Sequence, residues 1–230
     1  MRKTIEIIAT TIEDARRIEK AGADRIELVS ALSEGGLTPS YALIQRVIEA
    51  VNIPVNVMIR PHSKSFVYTD EEIRLMKQDI IQAKKLGANG VVFGVLTPSK
   101  EIDVVVLQRL LDVCDGLAVT FHRAIDETNV VKSVQLLAQY EKVTTILTSG
   151  GLKHPIADNA QVIKAAIAGR GHLEILLGGG LTLGNIAAVQ GKTGAQSFHF
   201  GTAVRVGQEI DEDKIRLVKK LLSAGDELEV

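Results

Sequence analysis

Glu27, Arg60, His122 and His199 lie far apart along the chain, yet each stands at or near the end of a short run of apolar or β-branched residues. Together they offer a carboxylate, a guanidinium and two imidazoles, the groups that move a proton on a small anion and steady the charge that develops. His122 opens the segment His122-Arg123-Ala124-Ile125-Asp126, in which the Asp126 carboxylate is expected to set the tautomer and basicity of the imidazole. Glu27, His122 and His199 also make a reasonable divalent-metal set, although they come from separate runs and no local ligand spacing links them. Glycine turns bring a second kind of chemistry. Gly178-Gly179-Gly180, Gly201-Thr202-Ala203 and Thr148-Ser149-Gly150-Gly151 each follow such a run. Glycine lets a backbone approach a ligand closely, and exposed amides bind anions. Ser149, Gly150, Gly179, Gly180, Gly201 and Thr202 are therefore expected to hold a phosphate or another small anion. No Gly-x-Ser-x-Gly, Gly-x-Gly-x-x-Gly or Walker sequence is present.

These residues need a scaffold that gathers strand ends. Short runs at 4–9, 25–29, 55–60, 91–95, 117–122, 144–148, 174–177 and 197–200 read as strands, each too short for a helix and rich in β-branched or apolar residues. Helical stretches with legible ends lie between them. Thr10 and Glu13, then Thr69 and Glu72, have capping-box spacing, and Gly22 and Gly87 follow as stops. Ile73, Met76, Ile80 and Ala83 form one helical face, and Asp211 precedes a helix with an inner stripe of Ile215, Val218 and Leu222. Strand-helix alternation at about 29 residues per unit means parallel βαβ units. The expected fold is a (β/α)8 TIM barrel, an α/β protein with a closed parallel eight-stranded sheet. An open doubly wound sheet competes, but it would leave two edges and no run has the polar look of an edge strand.

Residues at i and i+2 of a strand share a face. One parity is apolar throughout: Ile5 and Ile7, Ile26 and Leu28, Val55, Val57 and Ile59, Val119 and Phe121, Ile175 and Leu177, Phe198 and Phe200. The other parity should point into the barrel and is polar, holding Glu6, Arg25, Glu27, Asn56, Arg60, Thr120, His122, Glu174, Ser197 and His199. Buried charges must be paired. Glu6, Arg25 and Glu174, early in their strands, suit a structural ion network. Glu27, Arg60, His122 and His199 come late, at the end where active sites of this fold sit, and the loops after the last two strands are its usual phosphate site. Longer loops at 33–40 and 61–69, the latter with His62, Lys64 and Tyr68, are placed to bind or cover a ligand.

Composition bounds the rest. The chain has 230 residues, 46% hydrophobic and 24% charged, which suits one barrel domain over 1–230. With 27 Lys+Arg against 28 Asp+Glu it lacks the basic excess of a dedicated nucleic-acid binder. No apolar run approaches the roughly 20 residues of a membrane span, and no signal-peptide pattern is seen, so a cytoplasmic protein with neither nucleic-acid nor membrane partners is expected. Cys114 is the one cysteine, which excludes an internal disulfide framework and a Cys-only metal site.

Ala23-Asp24-Arg25-Ile26-Glu27-Leu28, Glu34-Gly35-Gly36-Leu37-Thr38-Pro39-Ser40, Ile59-Arg60-Pro61, Val119-Thr120-Phe121-His122-Arg123-Ala124, Leu147-Thr148-Ser149-Gly150 and the His199 strand give the chain a resemblance to the CutC family over nearly its whole length. The resemblance implies a cytosolic barrel, commonly a homo-oligomer, linked by name to copper homeostasis and so to copper as a bound species. It also implies cysteines near the ends of the first two strands; here those positions read Ile8, Ala9 and Val29. Soft Cu(I) favours thiolate and thioether ligands, which leaves His62, His122, His199 and Met58 as donors. The family's Ile-Arg-Pro-Arg segment reads Ile59-Arg60-Pro61-His62 here. Two functions follow. One is copper binding or carriage. The other is an isomerase- or lyase-type enzyme acting on a small anionic or phosphorylated molecule, with Arg60 as the clamp and Glu27 or His122 as the proton shuttle.

Overall fold

A computed structural model describes residues 3–224; residues 1–2 and 225–230, included in the 1–230 unit expected above, lie outside the described residues. The elements run β1 Thr4–Ala9, α1 Ile12–Lys20, β2 Arg25–Leu28, α2 Tyr41–Ala50, β3 Val55–Met58, α3 Asp70–Lys85, β4 Gly90–Phe93, α4 Val104–Leu111, β5 Ala118–Phe121, α5 Val130–Leu137, β6 Val143–Thr148, α6 Ala160–Ala168, β7 Glu174–Leu177, α7 Ile186–Thr193 and β8 Ser197–Phe200. A short antiparallel hairpin, β9 Arg205–Val206 and β10 Glu209–Ile210, precedes α8 Glu212–Ala224. β1 to β8 pair in chain order as a closed barrel. The closure is parallel pairing of β1 with β8, Glu6 opposite His199, which rules out the open sheet. Among the described residues no helix is long and apolar enough to cross a membrane.

Local sequence sets the turns. Thr69 and Glu72 form the full capping box at α3, and Gly22, Gly87 and Gly194 adopt left-handed φ values of +82°, +91° and +71° that end helices cheaply only for glycine. At α1 the cap is one residue later than the Thr10–Glu13 spacing suggests. Thr11 accepts the Asp14 amide at 3.0 Å, while the Thr10 hydroxyl and amide both donate to the Asp14 carboxylate.

The strand parity holds. Ile7, Leu28, Val57, Phe121 and Phe198 are fully buried in the layer shared with the helices, against faces such as Ile73, Met76, Ile80 and Ala83 of α3. Ile215, Val218 and Leu222 of α8 lie in the same core. A smaller apolar cluster of Val29, Met58 and Val92 fills part of the barrel interior. β3 and β5 end before Arg60 and His122. The Arg60 amide donates to the Thr38 side chain at 2.8 Å rather than to a strand, whereas the His122 amide still donates to the Phe93 carbonyl at 2.9 Å; both residues lie just past their strands and begin the loops at the C-terminal face.

Candidate functional site

The barrel interior is built from neighbouring registers that place charges beside each other: Glu6 opposite Arg25 and His199, Glu27 opposite Asn56, and Thr145 opposite Glu174. Arg25 donates through Nε to Glu6 at 2.6 Å and through Nη1 to Glu174 at 2.8 Å, and Asn56 also donates to Glu6. Burial alone would raise the Glu6 carboxyl, but Arg25 and His199 outweigh it and hold the group at about 2. Glu6, Arg25 and Glu174 therefore form the expected ion network below the site.

His199 links this network to the cavity above. Its Nδ1 lies 2.7 Å from Glu6 Oε1, and its Nε2 is 3.8 Å from Glu27 Oε2. Burial opposes charge on the ring, but Glu27 and Glu6 beside it raise its pKa on balance. Glu27 is only 2% exposed, and its Oε1 has no hydrogen-bond partner. Burial pushes its carboxyl up to about 7, with Glu6 adding to the rise and His199 and Arg25 opposing it. A carboxyl poised there exchanges its proton readily near neutrality.

His122 caps the 3-10 turn that follows β5: its Nδ1 accepts the Ala124 amide at 3.2 Å. The proton of the neutral ring must then sit on Nε2, which is buried without a partner. Burial, reinforced by Arg60 and Arg123, lowers this imidazole to about 3, so it stays neutral. The ring stacks edge-on to Phe66 at 4.9 Å between centroids and occupies the space a side chain at Gly94 would need.

Arg60 is more a brace than a free clamp. Its Nη1 donates to the Glu34 and Gly36 carbonyls at 3.1 and 3.2 Å, its Nη2 to the Ser63 carbonyl at 3.4 Å, and its guanidinium lies 4.8 Å from the Phe66 ring centre. It thereby ties the 33–40 loop to the 61–69 loop. His62, from the second of these, pairs with Glu72 at 3.0 Å.

The expected partnership of Asp126 with His122 does not form. Asp126 accepts the Ser149 amide and hydroxyl, the Thr148 hydroxyl and Arg123 Nε, because the turn after β5 aims the carboxylate at the end of β6. The Ser149 amide is thus occupied, and the Gly150 amide donates to Thr148 Oγ1 at 2.9 Å, so neither amide is open to an anion. Arg123 takes their place. Held by Asp126 and by Ser149 Oγ, its guanidinium lies over Gly179, where any Cβ would collide with it. Its Nη1 has no hydrogen-bond partner among the described residues, and its side chain is 40% exposed. Sequence reasoning assigned Arg123 no role, although it follows His122 directly.

These groups meet in a cavity of about 520 Å³ at the C-terminal ends of the strands. Glu27, Arg60, His122, Arg123 and His199 line it, with Gly179, Gly180, Gly201 and Thr202 from the loops after β7 and β8. Asp126, Ser149 and Gly150 stand behind Arg123 rather than on the cavity wall. The volume suits a small metabolite.

Copper fits these donors poorly. Cys114 lies after α4, its buried thiol donates to the Leu110 carbonyl at 3.2 Å, and burial pushes it up to about 12. Glu6, Glu27 and His199 present one donor atom each within 4.8 Å of one another, but two of the three are hard carboxylate oxygens and none is a soft thiolate or thioether. Glu6 is also committed to Arg25, whose positive charge a cation there would face.

The sequence model of the CutC family matches residues 3–204. The human protein named copper homeostasis protein cutC homolog is 40% identical over 199 residues, 85% of this chain and 71% of its own length. A family protein CutC from Pasteurella multocida is 37% identical over 196 residues, 85% of this chain and 80% of its own. A crystal structure of a CutC protein from Streptococcus agalactiae matches with a TM-score of 0.83 and 35% identity, covering 88% of this chain and 100% of that one.

Proposed function

The chain belongs to the CutC family, and from that premise we propose that its cavity is the active site of an enzyme that moves a proton on a small anionic molecule, phosphorylated or carboxylated. The observation that carries this reading is the Glu27 carboxyl: buried, with one oxygen unpartnered, and on the wall of a cavity large enough for a metabolite. A carboxyl buried only for stability would be paired on both oxygens.

The roles divide by charge. His199, oriented by Glu6, faces Glu27 and favours its ionised form at the moment it must act as a base. Arg123, with its open Nη1, meets the anionic group of the substrate beside Gly179, Gly180, Gly201 and Thr202. Arg60 holds the two long loops that wall the other side. The copper role in the human relative's name finds no thiolate set in this chain, and no step is assigned to the metal.

Thermal unfolding in phosphate, sulfate and a panel of sugar phosphates tests the proposal. A ligand at about 100 times its Kd adds roughly 2.7 kcal/mol of stability. Wild type is expected to gain melting temperature with at least one anion, and Arg123→Gln to lose that gain when each protein is compared with its own ligand-free melting temperature, which in Arg123→Gln is itself lowered because buried Asp126 loses its cation. Absence of any shift, or an equal shift in Arg123→Gln, would remove the anion site.

A further inference from the structure

We infer that the cavity takes a carbonyl compound bearing an anionic group, with His122 Nε2–H as the fixed donor to the carbonyl oxygen and Glu27 as the base for the adjacent C–H bond. The inference rests on the proton-moving role proposed for Glu27 and names the substrate class of that site.

The starting point is a donor with one possible use. His122 Nδ1 is occupied by the Ala124 amide, the proton is therefore on Nε2, and Nε2 has no protein partner although it is buried. The residue lines the same cavity as Glu27. Its ring is held in place by Phe66 at its face or edge and by the missing side chain of Gly94, so the donor direction is set before any ligand arrives. Such a ring is neither a base nor a metal ligand through Nε2 while the Ala124 bond is made.

What the donor meets follows from charge. A group that is anionic throughout the reaction is matched by a cation, and Arg123 supplies one at the cavity wall. A neutral imidazole N–H instead suits an oxygen that is neutral in the bound molecule and becomes negative only as the reaction proceeds, the pattern by which neutral histidines polarise carbonyls. A carbonyl oxygen is such an atom, and the C–H bond next to it is the one a carboxylate of Glu27's basicity can break. In that step the Glu27 carboxylate takes the proton, the C–H electron pair becomes the carbon–carbon π bond, and the carbonyl π pair moves to oxygen, where it accepts from His122. Return of a proton from Glu27 to the same carbon restores the carbonyl, so solvent hydrogen enters at that carbon without net change.

Three probes and two variants decide the matter: dihydroxyacetone phosphate, its carbonyl-free relative glycerol 3-phosphate, and the enediolate mimic phosphoglycolohydroxamate, tested with wild type, His122→Gln and His122→Phe. Glutamine keeps an N–H donor at similar reach, and phenylalanine keeps ring volume without one. Calorimetry is expected to show the hydroxamate bound at least about tenfold more tightly than glycerol 3-phosphate by wild type and His122→Gln, with the preference lost in His122→Phe. In D2O, wild type should exchange the carbon-bound hydrogens of dihydroxyacetone phosphate, and His122→Phe should slow this by about 10²-fold, the effect of losing one oxyanion donor. If glycerol 3-phosphate binds as well as the hydroxamate, or the preference survives in His122→Phe, the carbonyl assignment falls while the anion site stands. If no probe binds, the proton-moving reading falls with it. Nitrogen-15 spectra of wild type without ligand give an independent readout. A His122 ring that titrates between about pH 5 and about pH 8, or carries its proton on Nδ1, overturns the donor role.

Discussion

Glu6 Oε1 and His199 Nδ1 lie 2.7 Å apart across the β1–β8 seam, the pair of strands whose pairing closes the barrel. The same carboxylate also receives Arg25 at 2.6 Å. One fully buried side chain thus neutralises the interior and aims His199 Nε2 at Glu27. Glu6→Gln leaves the Arg25 guanidinium and the His199 ring facing a neutral amide, and breaking a buried pair in this way costs about 3–5 kcal/mol. Glu174 still holds Arg25, which favours the lower end of that range. Urea unfolding at neutral pH checks it; a loss below about 1 kcal/mol, the range of an exposed pair, would mean that the network contributes little.

Glu27 links stability to pH in a direction opposite to an ordinary buried ion pair. Its carboxyl ionises at about 7 when folded against 4.5 ordinarily, because burial disfavours its charge. Between those values the folded chain holds a proton that the unfolded chain has released, so this contribution to stability falls as pH rises from about 4.5 to about 7. His199, Glu6 and Arg25 face the group and also respond to pH or charge, so the comparison is with an isostere. Relative to wild type, Glu27→Gln should become more stable on going from about pH 5 to about pH 8. Parallel stability profiles would show that Glu27 titrates normally. The exchange activity of wild type should rise over the same interval and level off once Glu27 is ionised.

Gly94 makes the space for the His122 ring. Its backbone is not in the left-handed region, so alanine there tests sterics alone. Overpacking of this kind costs about 1–3 kcal/mol, and displacement of the ring should lower the exchange rate as well. Gly191, within α7 and open on all sides, provides the control. Gly191→Ala should be stabilising by about 0.5–1 kcal/mol, as expected for a helix interior. Equal effects of the two substitutions on activity would show that Gly94 does not position His122.

Cu(I) competition against a strong chelator separates the human relative's named role from the chemistry of this chain. Cys114 is buried with its thiol engaged, and His122 and His199 each have one nitrogen committed. Wild type and Cys114→Ser should therefore yield the metal to the chelator equally. Tight retention that is lost in Cys114→Ser would contradict the structure.

The barrel was legible because its evidence is local. Apolar runs at period two, the Thr69–Glu72 box and the Gly22 and Gly87 stops each act within a few residues. The inward parity that gathered Glu27, Arg60, His122 and His199 is also local, since alternation along a strand decides the face. Those four do line one cavity. Pairings between different strands and loops were not legible. Asp126 lies near His122 in sequence but bonds to Ser149 and Thr148, which come from β6 and its end. Arg123 becomes a cavity residue only because Asp126 and the bare face of Gly179 hold it there.

The amino-acid sequence by itself determined the eight βα units, which side of each strand faces inward, and hence the kinds of group in the barrel. Only the tertiary structure decided their charge states and partners. Glu27 at about 7, Glu6 at about 2 and His122 at about 3 differ because of what closure of the barrel puts next to each and how much water it removes. A carboxyl's pKa depends on distances of a few ångströms across the sheet, and those distances exist only once β1 has met β8.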